Sequence, residues 1–322
     1  MTDFRARAAD GLADLLLCPE ADLAERAAAL VAPDAALHAM APVDDLAGRD
    51  AWAEAFALPL RRAFVGAHRR MEIVIGGESV REDGGRWMAG VGHVVGDFHA
   101  PLWGVAPSGQ LAFLRFGEFH RIDAEGRIDR SHVILDLPDL MRQAGRAPFP
   151  RLGPEMLWPG PATHDGVCPE RGDGAASLAV VERMLGDLHH YDPETMASAG
   201  QTGEGGAWAD DMFWHGPGGV GSNFRWEGFV RDHRAPFVGA FPDRQGGNHY
   251  CRIGDGNYAA VSGWPSMTMT HRGYYLGVPA TNRALTLRVM DFYRIAGGRI
   301  AENWVLLDYV DLARQMGRDV LA

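Results

Sequence analysis

Apolar positions recur every three to four residues over Thr2–Leu17 and Asp22–Val31, which predicts two helices at the start of the chain. A second stripe, Leu178, Val181, Leu185 and Leu188, predicts a helix over Ser177–His190. Two rows are spaced by four: Trp52, Phe56, Leu60 and Phe64, then Phe229, His233, Phe237 and Phe241. Each row lies along one helix face. Pro59 and Pro236 fall inside these rows and predict a kink or break at the same place in both. Strand-like runs follow at Met71–Ile75, Leu111–Ile122 and Ile128–Leu135, and again at Tyr258–Ser262, Leu285–Ile295 and Ile300–Leu307. Short helices close each series, at Pro138–Gly145 and Val310–Gly317.

The two series are copies. Arg127–Arg146 reads RIDRSHVILDLPDLMRQAGR and Arg299–Arg318 reads RIAENWVLLDYVDLARQMGR, with eleven of twenty positions identical and no gap. Unrelated segments share about one or two at ordinary residue usage. In neighbouring registers Arg115, Phe119 and Arg121 fall on Arg288, Phe292 and Arg294, and His38, Pro59 and Phe64 fall on His215, Pro236 and Phe241. The predicted organisation is a first domain at 1–146, a linker at 147–175 with six prolines, and a second domain at 176–322. Met156, Leu157 and Trp158 suggest a linker packed on a domain. Helices first and a sheet second predicts α+β. If the duplication replaced a homodimer, the copies form an intrachain pseudo-dimer, sheet against sheet about a pseudo-two-fold axis, with a further homodimer left open.

Composition excludes more than it selects. The chain has 322 residues, 47% hydrophobic and 23% charged, which are ordinary globular values. Net charge is −11, so no electrostatic footprint for nucleic acid or an anionic membrane is expected. All 31 cationic residues are Arg. The absence of Lys removes Schiff-base chemistry, pyridoxal phosphate and a P-loop. Cys18, Cys168 and Cys251 are too few and too scattered for a disulfide framework or a zinc site. No spacing of the 13 histidines argues for a metal, and no cofactor is implied. Gly90, Gly92 and Gly96 miss the dinucleotide fingerprint, and no Gly-x-Ser-x-Gly elbow exists. With no signal pattern at Met1–Arg5 and no apolar run near ~20 residues, a soluble cytoplasmic protein is expected.

The run Asp291-Phe-Tyr-Arg-Ile, then Gly298-Arg-Ile-Ala-Glu-Asn-Trp304, then Asp308, resembles the closing strands of the SnoaL-like polyketide cyclases. These belong to the superfamily of nuclear transport factor 2 and ketosteroid isomerase. His215-Gly-Pro-Gly-Gly, the helix ending at Pro236–Asp243 and Leu276-Gly-Val-Pro are similar to the same family. The resemblance covers the second copy and extends to the first through the duplication. It implies two tandem cones, each a strongly curved antiparallel sheet wrapped around N-terminal helices with a pocket inside. It also implies a cofactor-independent intramolecular aldol closure of a polyketide ester. The family's acid/base aspartate, four residues after the tryptophan of the last strand, corresponds to Asp308 and, by the repeat, to Asp136. His132 replaces that tryptophan in the first copy.

The residues can be weighed on their own chemistry. Asp308 follows Val305-Leu306-Leu307 and Asp136 follows Val133-Ile134-Leu135, so desolvation should raise both toward the range useful for proton transfer. The competing reading is a helix N-cap. Asp291 and Glu118 occupy matching strand positions. Alternation puts Asp291 with Tyr293 and Val289 on one face, either a pocket wall or a surface ion-pair site. Asn303 can donate to a developing enolate, and Ser131 replaces it in the first copy. His215 and His38 precede Gly/Pro turns, as acid/base or substrate-binding groups or as structural histidines. Trp304 offers a flat apolar wall where His132 offers a titratable group, so the second pocket is expected to be the more reactive unless both face outward. The expected reaction is proton abstraction beside the carbonyl of a small, mostly apolar compound, followed by ring closure or isomerisation. Epoxide opening or dehydration in the same pocket is one alternative, and a non-catalytic ligand-binding module is another.

Overall fold

The computed structural model describes residues 3–81, 84–170, 173–198 and 200–322. The first helix, α1 (Phe4–Leu17), is capped by Asp3, and the predicted start at Thr2 lies outside the described residues. α2 (Leu23–Leu30) leads into β1 (Val31–Ala39) and β2 (Asp45–Ala47). Trp52, Phe56 and Leu60 of the aromatic row then lie on one helical rod, α3 (Arg49–Trp52), a π-turn at Ala53–Ala57 and α4 (Leu58–Ala63), while Phe64 already opens the next strand. β3 (Phe64–Glu78), β4 (Arg86–Phe98), β5 (Leu111–Ile122), β6 (Ile128–Leu135) and α5 (Leu137–Gln143) complete the first copy.

The second copy repeats this order. α6 (Gly174–Asp187) precedes β7 (Trp208–His215) and β8 (Ser222–Phe224). α7 (Arg225–Phe229), a π-turn at Val230–Arg234 and α8 (Ala235–Ala240) form its rod. β9 (Cys251–Asp255), β10 (Tyr258–Thr270), β11 (Ala284–Ala296), β12 (Arg299–Leu307) and α9 (Tyr309–Gln315) follow. Strand order is β2-β1-β6-β5-β4-β3 in one sheet and β8-β7-β12-β11-β10-β9 in the other. The architecture is two tandem α+β cone folds. Among the described residues no helix is long and apolar enough to cross a membrane.

Three differences from the sequence reading have physical causes. The sheets are mixed and not purely antiparallel, because β1 pairs parallel to β6 and β7 parallel to β12. β1 and β7 carry no clean alternation, so period-two patterning does not reveal them. The prolines do not break the rods. In both copies a π-turn ends two residues before the proline, which then sits in the first turn of the following helix; the Trp103 indole N–H also donates to the Ala55 carbonyl at 3.3 Å. Gly92 and Gly96 lie in β4 opposite irregularities of β3, and a Cβ at Gly92 would collide with the Arg70 carbonyl. They let the sheet curl, which makes the inside of the cone.

The copies meet through contacts made in both directions. Asp308 accepts from the Ala41 N–H of the first copy at 3.0 Å, and Asp136 accepts from the Gly218 N–H of the second at 2.8 Å. Each aspartate also caps the helix that follows it, accepting from Asp311 N–H and Asp139 N–H at 3.0 Å. Each is paired with a strand arginine, Arg288 at 3.1 Å and Arg115 at 3.2 Å. Phe119 packs on Phe292 at the centre, and the bare Cα of Gly117 leaves room for Leu306. At the sheet edges Arg5 reaches Asp255 at 2.6 Å, and Asp255 also accepts from the Gly76 N–H. The linker is fixed to both copies: Leu152 and Gly153 bond to Gly219 and Val220, Gly166 and Cys168 bond to Val74, and Trp158 is buried with its N–H on Gly216 O.

Replacing Asp308 by Ala removes a helix cap, an inter-domain hydrogen bond and the counter-charge of Arg288 together. The expected loss is about 2–4 kcal/mol of unfolding free energy. Urea denaturation measures it, and amide exchange at Ala41 should accelerate in parallel. A loss below about 0.5 kcal/mol, the size of an ordinary surface substitution, would remove the clamp from the account of stability.

Candidate active site

The helical rod of the second copy lies inside its curved sheet, and a cavity of about 110 Å³ remains between them. Phe229, His233 and Phe237 line it from the rod, and Met184 and Leu185 from α6. Alternation along β11 brings Leu287, Val289, Asp291 and Tyr293 to the same wall, and β12 adds Asn303, Val305 and Leu307. Asp291 therefore stands on the tyrosine face, inside the cone, with Arg288 and Arg294 on the opposite face. Burial pushes its carboxyl up to about 7, and the polar groups of Asn303 and Tyr293 beside it restrain the rise. One Asn303 N–H is committed to the Phe292 carbonyl at 3.0 Å, which fixes the amide against the sheet.

Two histidines line the same space. His233 is stacked on Trp214 at 4.4 Å, its Nδ1 has no partner, and burial lowers it to about 3. His249 accepts from the Arg252 Nε–H on Nδ1 at 3.2 Å. Burial and the charges of Arg252 and Arg81 hold it near 3, so it is neutral and carries its proton on Nε2. Both imidazoles present neutral groups to the cavity. Arg234 and Arg244 also border it. Among the described residues no cluster of three or more metal-ligating side chains occurs.

The first copy has the same space in reduced form, about 40 Å³. Glu118 stands where the second copy has Asp291, His120 where it has Tyr293, and Ser131 where it has Asn303. Glu118 is 2.5 Å from Arg69 and 3.2 Å from His120, and His120 reaches Ser131 at 2.8 Å. Burial alone would raise Glu118, but Arg69 and His120 outweigh it and hold the carboxyl at about 2. A carboxylate so fixed has little capacity to take up a proton near neutral pH.

The other residues singled out from sequence lie outside both cavities. Asp308 is pushed up to about 6 by burial, partly offset by Arg288, but it faces the other domain as a clamp and helix cap. Asp136 holds the equivalent place and is also raised by burial. The valine-leucine runs before them do bury both carboxylates, against the neighbouring copy instead of a ligand space. His215 is stacked on Trp304 at 5.2 Å, lowered to about 4 by burial, and the Trp304 N–H donates to Pro159 O of the linker. His38 bonds to Asp45 at 2.9 Å and stacks on His132, which stacks in turn on Tyr250 of the second copy at 3.8 Å. Trp304 and His132 are therefore buried packing groups. His233, His249, Arg234 and Arg244 were not singled out. His233 left one signal, a polar residue within an aromatic row; Arg234 follows it on the same rod one step off that row, and Arg244 and His249 sit in loops where no periodicity applies.

Residues 204–316, within the second copy, match the family model described as SnoaL-like polyketide cyclase. No curated protein matches the chain. Among solved structures the chain is similar to a proposed SnoaL-like polyketide cyclase from Jannaschia sp. CCS1, at 15% identity and TM-score 0.36, covering 46% of this chain and 96% of that one. It is similar to IdmH, a proposed polyketide cyclase from Streptomyces antibioticus, at 21% identity and TM-score 0.32, covering 45% and 99%. It is also similar to AclR, a proposed hydroxylase from Streptomyces galilaeus, at 18% identity and TM-score 0.35, covering 45% and 83%.

The position of Asp291 has a consequence for stability. Its folded pKa lies above the unfolded value, so the unfolded chain releases this proton first. The group's contribution is complete below about pH 4 and is lost as pH rises to about 7. Asp291→Asn, neutral at every pH, should remove that slope and exceed the parent at pH 8 by about 2–4 kcal/mol, with little difference at pH 4. Urea unfolding of both proteins at the two pH values checks this. An equal or lower stability of the variant at pH 8 would contradict the burial of an unpaired carboxyl there.

Proposed function

We propose that the second domain transfers protons at a carbon next to a carbonyl, in a small and mostly apolar compound, and so promotes ring closure or isomerisation. The observation that carries this reading is one carboxyl, Asp291, held near pH 7 in the wall of a mostly apolar cavity, with Asn303 and Tyr293 beside it and no cation paired to it. The SnoaL-like family match supports the same class of reaction.

In this reading the Asp291 carboxylate accepts the α-proton and the C–H electron pair moves into an enolate. Matching the base to neutral pH keeps a useful fraction ionised while leaving it basic enough to act. The Tyr293 hydroxyl, whose own pKa burial raises well above the usual value, stays protonated and serves as a donor. The His249 Nε2–H and the unpaired His233 ring stand where an enolate oxygen can be met by neutral polar groups in low dielectric. For ring closure, the enolate carbon attacks a second carbonyl of the same molecule, and protonated Asp291 returns its proton to the resulting alkoxide. No external oxidant or reductant is required.

Two other readings fit less well. Epoxide opening calls for an arginine beside the carboxylate, yet neither Arg234 nor Arg244 is among the groups that shift Asp291. A purely ligand-binding module gives no reason for a carboxyl raised to about 7 at the inner wall. The first domain, with Glu118 locked by Arg69 and His120, is proposed as a structural partner.

Deuterium exchange into a panel of small ketones and β-keto esters, followed by nuclear magnetic resonance, tests the proposal without a known substrate. Catalysed exchange should rise with pH to a plateau above about 7, as Asp291 ionises. Asp291→Asn should lose about 10²–10⁴-fold, the usual worth of a positioned acid/base. Glu118→Gln should retain most of the activity. Equal losses in the two variants, or an unaffected Asp291→Asn, would sink the assignment.

A further inference from the structure

The cationic side of the same cavity has no counterpart in the chemistry described above. Arg234 and Arg244 both line it, and both guanidinium groups lie over the ring of Tyr191, at 4.9 and 5.5 Å. Arg244 donates to the Tyr191 hydroxyl at 3.4 Å, and Arg234 donates to the Leu188 carbonyl at 3.3 Å. Arg234 is only 4% exposed and Arg244 7%, and the Nε of Arg234 has no partner. Among the described residues neither arginine forms an ion pair with a carboxylate. Asp187 exerts some charge on Arg234, but its carboxylate is already held by Ser198 at 2.5 Å and Gln201 at 3.1 Å.

Two buried like charges without a counter-ion are unfavourable, and burial with the repulsion of Arg244 lowers Arg234 to about 10. Among the described residues the other buried arginines are paired, Arg5 with Asp255 and Arg115 with Asp136. The exception lies beside a cavity. His233 feels the charge of both arginines, which border the cavity from the rod and the segment after it, while Asp291 stands on the β11 wall beside Asn303 and Tyr293.

We propose that the ligand of the second domain carries a carboxylate, bound by Arg234 and Arg244, on an apolar body that extends toward Asp291. The inference rests on the reading of this cavity as a ligand site. It adds a substrate class, carboxylate-bearing carbonyl compounds, and a fixed orientation. The planar guanidinium fork matches a carboxylate in two parallel hydrogen bonds, and the apolar walls suit a ring or chain between the two ends. Anchoring one end presents the other to the base in a single pose.

Calorimetric titration with 3-phenylpropanoate and its uncharged isostere 3-phenylpropanamide tests this at pH 6, where Asp291 is largely protonated. The carboxylate should bind at least about tenfold more tightly than the amide, as one charge-assisted hydrogen bond requires. Arg244→Gln and Arg234→Gln should each erase most of that preference, Arg234→Lys should keep part of it, and Asp291→Asn should leave it intact. Circular dichroism confirms the fold of each variant. Equal binding of the two compounds, no binding of the carboxylate, or a preference that survives in both Gln variants would overturn the inference. Because proton exchange is read separately, a preserved carboxylate preference with unaltered exchange in Asp291→Asn would discard the proton-transfer reading and retain this one.

Discussion

A carboxylate taken out of water must find a counter-charge, accept several hydrogen bonds or hold its proton, and the alternatives differ by several kcal/mol. The organisation of this chain follows from how four carboxyls, three buried and one set in a cavity wall, meet that demand. Asp136 and Asp308 meet it across the interface, each with an arginine of its own sheet and a backbone N–H of the other domain. Glu118 meets it within the first cone by pairing with Arg69 and His120. Asp291 has only neutral neighbours, so it keeps its proton to about pH 7. Two groups fasten the copies, one is locked in an ion-paired cluster, and one keeps a titratable proton.

The duplication was plain in the sequence because it rests on identities, and the strands built from continuous apolar runs were plain because their burial is two-sided. β5 and β6 have the boundaries read from the pattern. β4 was hidden by the glycines that let the sheet bend, and β1 and β7 by irregular burial at the one parallel pairing in each sheet. The alternation of β11 was legible too, including the choice it left open for Asp291, since the period of two fixes which residues share a face but not which face points inward. What the sequence could not show was the partner of Asp308. A hydrophobic run before an aspartate signals burial, and burial against a second copy looks the same as burial against a ligand.

That ambiguity is general for duplicated domains. A face that would border solvent or a ligand in a single domain can here be covered by its twin, so residues matched to a reactive position through a family pattern acquire a different environment. In this chain the aspartate after the last strand has become a symmetric fastening, and its helix-capping bond is retained in the same atoms. The two roles do not compete, because one oxygen caps the helix while the other crosses to the neighbour.

The asymmetry between the cones has the same origin. The exchange of Trp304 for His132 is the largest difference in the last strands, yet both side chains are spent on packing, one on His215 and the linker, the other between His38 and Tyr250. The exchange that alters the cavity is smaller. Glu118 has one methylene more than Asp291, and in the first cone that longer reach meets a cation, Arg69, which also lies over the ring of Phe116 and draws the carboxylate into a closed cluster. Asp291 stands beside a phenol and an amide, which supply hydrogen bonds without net charge. A proton on the first carboxyl has to displace an ion pair, while a proton on the second displaces only polar contacts. The difference between a held charge and an exchangeable proton therefore comes from what surrounds the carboxyl and not from its position in the fold, which both copies share.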